Sequence, residues 1–170
     1  ILVDHNEKSQ AVDGIAGADI LEIIDHHRIG SLETMSPVFF RNQPLGCTGT
    51  IVYQMYQEQG VEIDRTTAGL LCSAILSDTL MYRSPTCTPL DRIAAEELAK
   101  IAGIHTEDHA RAMFQAGSDF GSKTPEEIFY QDFKTFSQDG VDFGVGQISA
   151  MTQEELEQVK EKLLPYLKQA

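Results

Sequence analysis

Tryptophan is missing from the 170 residues, and cysteine occurs only three times. Cys47, Cys72 and Cys87 are odd in number and form no CxxC pair, which argues against a disulfide framework and against a closed structural zinc site. Their sparse use suits a reducing, cytoplasmic compartment. Positive charge is scarce too: 13 Lys and Arg stand against 26 Asp and Glu, for a net charge of −13. A grip on nucleic acid built on phosphate neutralisation needs clustered Lys and Arg, and so does attachment to an anionic membrane surface. Neither partner is expected. Long apolar runs are also lacking; none approaches the roughly 18 residues of a membrane span. No signal-like stretch opens the chain, but that carries little weight. The first residues, Ile1-Leu2-Val3-Asp4, lack an initiator Met and read as the inside of a longer protein. What is present, 42% hydrophobic and 23% charged residues, is the composition of a globular protein with a real core.

The apolar pattern predicts an α/β architecture, a parallel sheet flanked by helices. Ile1-Leu2-Val3 and Ile20-Leu21-Glu22-Ile23-Ile24 read as buried strands joined by a short or loose helix over residues 9–19. Strand, crossover, strand implies parallel neighbours. Pro37-Val38-Phe39-Phe40 is a further strand, nearer an edge. Four helices follow. The first opens at Gly46-Cys47-Thr48-Gly49-Thr50 and stops at Gly60, and the second is capped by Asp64. The third starts at Pro89 and ends near Gly103, and the fourth spans residues 105–115. A polar, Gly-containing stretch over residues 116–125 reads as a linker, dividing the chain into domains 1–117 and 118–170. The second, a truncated α+β domain, holds a short helix over 126–131 and a hairpin with strands over 134–137 and 141–150, turning at Asp139-Gly140. Its last helix opens with a Thr152–Glu155 capping box.

Parallel strands bring their carboxyl ends to one rim, where open α/β sheets bind ligands. Asp4 and the pair His26-His27 sit at two such ends. Strands run about 4.8 Å apart, so a carboxylate and an imidazole there can share one metal ion. Asp78 falls in the last turn of the second helix, on the stripe of Leu71, Ala74 and Ile75. There it opposes the helix dipole and loses hydration; a cation would relieve both, as would hydrogen bonds from a loop. Oxygen and imidazole donors without thiolate suit magnesium, manganese, cobalt or iron. Gly46–Thr50 reads either as a phosphate cradle or, more simply, as a helix cap packed on the sheet. Lys134 stands beside Phe133 and Phe136 as one of few cations. His5, His105 and His109 join no constellation.

At Asp25-His26-His27 the sequence resembles the DHH phosphoesterase family and, within it, the manganese-dependent family II inorganic pyrophosphatases. The match is carried by Leu2-Val3-Asp4-His5-Asn6, Ile24-Asp25-His26-His27, Gly46-Cys47-Thr48, Ser77-Asp78-Thr79, and the stretch from Pro125 to Lys134. The resemblance implies that Asp4 bridges two metal ions and that His26 and Asp78 bind the second. It makes His27 a catalytic residue that contacts the substrate, and Lys134 a phosphate-binding residue. It implies Mn2+, or Co2+ or Mg2+, with two or more ions in the intact enzyme. It also implies pyrophosphate arriving as its magnesium complex, and a homodimer formed through a sheet edge such as the Pro37–Phe40 strand.

Two of the family's segments are absent here. A His-Pro-Asp-Thr-Asp type motif would precede residue 1, and an Arg-Lys pair would follow Ala170. Some members carry regulatory CBS domains before the second motif, so such domains are possible upstream. The resemblance implies hydrolysis of pyrophosphate to two phosphates by a two-metal mechanism, with the second domain closing over the first and this chain nearly inactive alone. The rival readings are another DHH phosphoesterase acting on oligonucleotides, and a non-catalytic dimerising or regulatory fragment.

Overall fold

Three short apolar runs pair as a parallel sheet in the computed structural model, which describes residues 1–117, 120–148, 150 and 153–168. The strands are β1 (Leu2–Val3), β2 (Glu22–Asp25) and β3 (Phe39–Asn42), in the order β1-β2-β3. Leu2 pairs with Ile23, Val3 with Ile24, and Asp25 with Asn42. The middle strand buries Ile23, Ile24 and Asp25, whereas Phe39 and Phe40 of β3 stay largely exposed. The segment between β1 and β2 forms two 3-10 turns, Lys8–Gln10 and Ile15–Gly17, in place of the expected helix. Gly14 and Gly17 interrupt it, and Val12 and its neighbours are not buried, so no packed apolar face offsets the cost of helix nucleation.

The helices begin and end close to their sequence signals. Helix α1 (Thr48–Gln59) is capped by Cys47, whose Sγ accepts from the Gly49 amide, and it stops at Gly60. Helix α2 (Arg65–Asp78) is capped by Asp64, which accepts from Thr66 and Thr67 at 2.8 and 3.0 Å. Helix α3 (Pro89–Ala102) carries a reciprocal Thr88–Asp91 capping box and ends at Gly103. Helix α4 spans Thr106–Gly117. Helix α1 packs on β2, and α2 and α3 pack on α1 and on each other. Ile24, Leu45 and Ile51 form the sheet-side core.

The buried stripe of α2 is Ala68, Cys72, Ile75 and Leu76, rotated from the Leu71–Ala74–Ile75 stripe that the spacing suggests; Leu70 faces outward. The cause is close helix packing. Cys72 Sγ reaches the Ala95 carbonyl of α3 at 3.4 Å, and a Cβ on Gly69 would meet that of Ala102 at 3.8 Å. Small residues, not leucines, allow that approach. Beyond Asp78 the chain bends sharply. Leu80, Met81 and Tyr82 all have positive φ, at 49°, 54° and 64°. Thr79 fastens the bend, donating to the Ile75 carbonyl at 2.6 Å and accepting from the Tyr82 amide at 3.2 Å. Arg92 donates to the Tyr82 carbonyl at 2.9 Å and stacks 4.7 Å from its ring centre.

The chain divides into two packed units, Ile1–Ala110 and Arg111–Ala170, the division falling within α4 rather than in the polar stretch after it. The second unit holds α5 (Pro125–Phe129), the antiparallel pair β4 (Phe133–Gln138) and β5 (Val141–Gly146), and α6 (Gln153–Leu167). Ile128, Val159 and Leu163 are its core. Asp139 and Gly140 turn the hairpin with φ of 53° and 78°, the pair of positive angles that a two-residue hairpin turn requires. The strands stop at Gly146, short of the expected residue 150. The expected cap Thr152 lies outside the described residues. No helix among the described residues is long and apolar enough to cross a membrane.

Candidate metal centre

The strand register delivers Asp4 and His26 to one rim. Asp4 leaves β1 in the left-handed conformation, φ 67°, while its amide still bonds to the Ile24 carbonyl of β2 at 2.9 Å. Ligand atoms of Asp4, His26 and His27 lie within 4.8 Å of one another. Asp4 Oδ1 stands 3.6 Å from His26 Nε2. The other ring nitrogen, His26 Nδ1, lies 2.9 Å from the Leu45 carbonyl. A carbonyl only accepts, so Nδ1 carries the proton and Nε2 turns its lone pair toward Asp4. Two acceptors facing each other at that distance repel unless a cation lies between them. Fixing a ring tautomer through the far nitrogen is how a histidine is prepared for a metal. The donor set therefore fits a hard or borderline divalent ion.

Asp25 holds both histidines in place. Its side chain is wholly buried. Oδ1 accepts from the His26 amide at 2.8 Å, the His27 amide at 3.2 Å and His27 Nδ1 at 2.8 Å, and Oδ2 accepts from Asn6 Nδ2. Burial alone would raise this carboxyl, but the hydrogen bonds from His27, Asn6 and the two amides outweigh it and hold the pKa below the ordinary aspartate value. Because His27 donates through Nδ1, its Nε2 is left free. Asn6 Nδ2 also donates to the Arg28 carbonyl at 3.0 Å, and Asn6 Oδ1 accepts from the Gly30 amide. A cleft of about 670 Å³ opens beside His26 and His27, bordered by Asn6, Arg28, Leu45 and Cys87.

Asp78 is solvent-accessible, not sunk in the apolar stripe as expected, yet it is crowded on its inner side. That crowding raises its carboxyl above the ordinary value. The Cys47 thiol, donating to it, and the nearby His26 and His27 draw it down, while the Asp4 charge pushes it further up. Burial and the same carboxylate push the Cys47 thiol far up, so it stays protonated and donates. Asp78 thus feels Asp4 and both histidines, although it is not among the three that converge within 4.8 Å. Lys134 lies exposed on β4 in the second unit.

Several contributors had only faint sequence signals. Thr48 donates to Asp4 Oδ1 at 2.7 Å. Asn6 and Asp25 lie in segments that carry the family resemblance, but nothing in the sequence assigned either a role. The Gly46–Thr50 segment is a cap and not a phosphate cradle: the amides of Gly46, Gly49 and Thr50 are already bonded to Asp91 Oδ2, Cys47 Sγ and the Cys47 carbonyl. His109 is a satisfied histidine, its Nε2 meeting Ser73 Oγ at 2.7 Å. His5 Nδ1 bonds to the Val3 carbonyl at 3.0 Å, while its Nε2 is buried without a hydrogen-bond partner among the described residues.

A model of the DHH family N-terminal domain matches residues 1–75, and a DHHA2 domain model matches residues 111–170. A cobalt-dependent inorganic pyrophosphatase from Clostridium perfringens is 49% identical over 169 residues, covering 99% of this chain and 31% of the relative. A manganese-dependent inorganic pyrophosphatase from Methanothrix thermoacetophila is 49% identical over 170 residues, covering all of this chain and 55% of the relative. A crystal structure from Methanococcus jannaschii, assigned to the family II inorganic pyrophosphatases, superposes with a TM-score of 0.82 at 38% identity, covering 99% of this chain and 57% of that one. The chain thus spans from 31% to 57% of the length of these proteins. With a DHH domain followed by a DHHA2 domain, it belongs to the DHH family and, within that family, to the family II inorganic pyrophosphatases.

Proposed function

We propose that the protein of which this chain forms a part hydrolyses inorganic pyrophosphate to two phosphates, with Mn2+ or Co2+ held by Asp4, His26 and Asp78. The observation that carries this reading is the carboxylate of Asp4 facing the lone pair of His26 at 3.6 Å, with the imidazole fixed from behind by the Leu45 carbonyl. A divalent ion bound there supplies charge that acidifies a water and neutralises phosphoryl oxygens. His27, anchored through Nδ1 to Asp25, points Nε2 away from that bond, and the doubly protonated ring would donate from it to a phosphoryl oxygen. Lys134 supplies a further positive charge for a phosphate group. Asp25 and Thr48 keep the ligands aimed without touching the substrate. The names of the relatives support both the substrate and the choice of metal. We further propose a cytoplasmic homodimer that meets through the exposed edge at β3, where Phe39 and Phe40 are 52% and 40% exposed.

Phosphate release from pyrophosphate by the full-length protein, with and without Mn2+, tests the proposal. We expect metal-dependent release, a fall of about 100-fold or more in turnover for Asp78→Ala, and little activity from residues 1–170 alone. Hydrolysis of short oligonucleotides in preference to pyrophosphate would overturn it.

A further inference from the structure

We infer that Asp91 is a positioning residue of the metal centre: it fixes the Leu45–Thr48 segment, and that segment orients His26, Asp78 and Asp4. The inference rests on the metal-binding reading above. Three nearly consecutive residues each hold one proposed ligand. The Leu45 carbonyl accepts from His26 Nδ1 at 2.9 Å, the Cys47 thiol donates to Asp78, and the Thr48 hydroxyl donates to Asp4 Oδ1 at 2.7 Å. One short segment, through one carbonyl and two side chains, thereby sets the aim of side chains at the ends of β1, β2 and α2.

What holds the segment is Asp91, in the first turn of α3 and wholly buried. A capping box needs only the Thr88 amide donating to Oδ2, at 2.7 Å, and the Asp91 amide donating back to Thr88 Oγ1; the Thr88 hydroxyl also donates to Oδ2 at 2.7 Å. Asp91 makes two more. Oδ2 accepts from the Gly46 amide at 2.9 Å, and Oδ1 accepts from Thr50 Oγ1 at 2.6 Å. These donors lie 45 and 41 residues away in sequence and flank the Cys47–Thr48 pair on both sides. Four donors converge on one carboxylate, which accepts at both oxygens; an amide would turn its NH2 toward some of them. The fit is tight, since a Cβ on Gly46 would stand 2.8 Å from Thr79 Cγ2 and 2.9 Å from Asp91 Oδ2. The segment is wedged between Asp91 and the end of the helix that delivers Asp78.

The test uses Asp91→Asn in the full chain, with Mn2+ and Co2+ affinities measured by calorimetry and the His26 tautomer read from 15N imidazole shifts without metal. Loss of an outer partner of this kind weakens metal binding by about 10-fold. We expect that loss and a His26 signal moved away from the pure Nδ1–H form. Asp64→Ala removes a helix cap away from the centre; it should lower the melting temperature and leave both readouts unmoved. If Asp91→Asn does not fold, Thr50→Val removes only the bond to α1 and should weaken metal binding measurably, though less than loss of the whole carboxylate. Affinity and imidazole shifts matching the unmodified chain in a folded Asp91→Asn, or in Thr50→Val, would overturn the inference. An equal loss in Asp64→Ala would do the same. If the unmodified chain binds neither ion, the metal-centre reading fails, and the metal-free imidazole spectrum still decides whether Asp91 sets the His26 tautomer.

Discussion

Replacing Asp25 by Asn should destabilise the first unit by about 3 kcal/mol. The substitution keeps shape and burial and changes only what the two side-chain ends can accept. With the amide oxygen in the Oδ1 place, the bonds from the His26 and His27 amides and from His27 Nδ1 survive as weaker neutral ones. The NH2 then meets Asn6 Nδ2, donor against donor. Asn6 cannot simply flip, because its two ends also serve the Arg28 carbonyl and the Gly30 amide. A hydrogen bond to a charged group contributes about 1.5–3 kcal/mol, and an unsatisfied buried polar group costs about 1–3 kcal/mol. The sum of one lost pair and three weakened ones lies near 3 kcal/mol, against a total stability of about 5–15 kcal/mol. Urea denaturation followed by circular dichroism measures it. The pH dependence adds a second check. The folded pKa of Asp25 is depressed, so its contribution is complete above the unfolded value of 3.8 and is lost as pH falls through the folded value. The gap between the unmodified chain and the variant should therefore be widest near neutrality and close in acid. A variant within 0.5 kcal/mol of the parent at pH 7, an order-of-magnitude limit for a neutral surface change, would refute the reasoning.

Two further outcomes follow from the geometry. Gly46→Ala should cost about 2–3 kcal/mol by overpacking against Thr79 and Asp91, and should weaken Mn2+ binding with it; calorimetry and thermal melts read both. Gly140→Ala, at φ 78°, should destabilise the hairpin by about 1 kcal/mol without changing Mn2+ affinity, which urea titration of the second unit and calorimetry would register.

The sheet, the helix bounds and the meeting of Asp4 with His26 were legible because each depends on local chemistry: apolar runs, Asp64, the Pro89 start, glycine stops. The register of α2 was not. Leu70 and Leu71 look like core, but the helix turns Ala68 and Cys72 inward because α3 comes close, and that distance is set by a neighbour many residues away. The same limit hid the work of Leu45, Thr48 and Asp91. A backbone carbonyl carries no sequence signature, and a threonine at a helix start reads as a cap until the strand beside it is known. Asp25 was plain as a residue and silent as a hub, since its burial follows from β2 lying in the middle of the sheet.

The bend at Leu80, Met81 and Tyr82 works as a splint on the exit of α2. Each L-residue in that conformation forgoes about 1–2 kcal/mol that glycine would not, so the three together give up some 3–6 kcal/mol. Glycines would recover much of this and lose the ring that Arg92 covers, leaving the chain after Asp78 free to swing. Rigidity at that corner and greater resistance to unfolding are therefore opposed choices here, and the natural residues take the first.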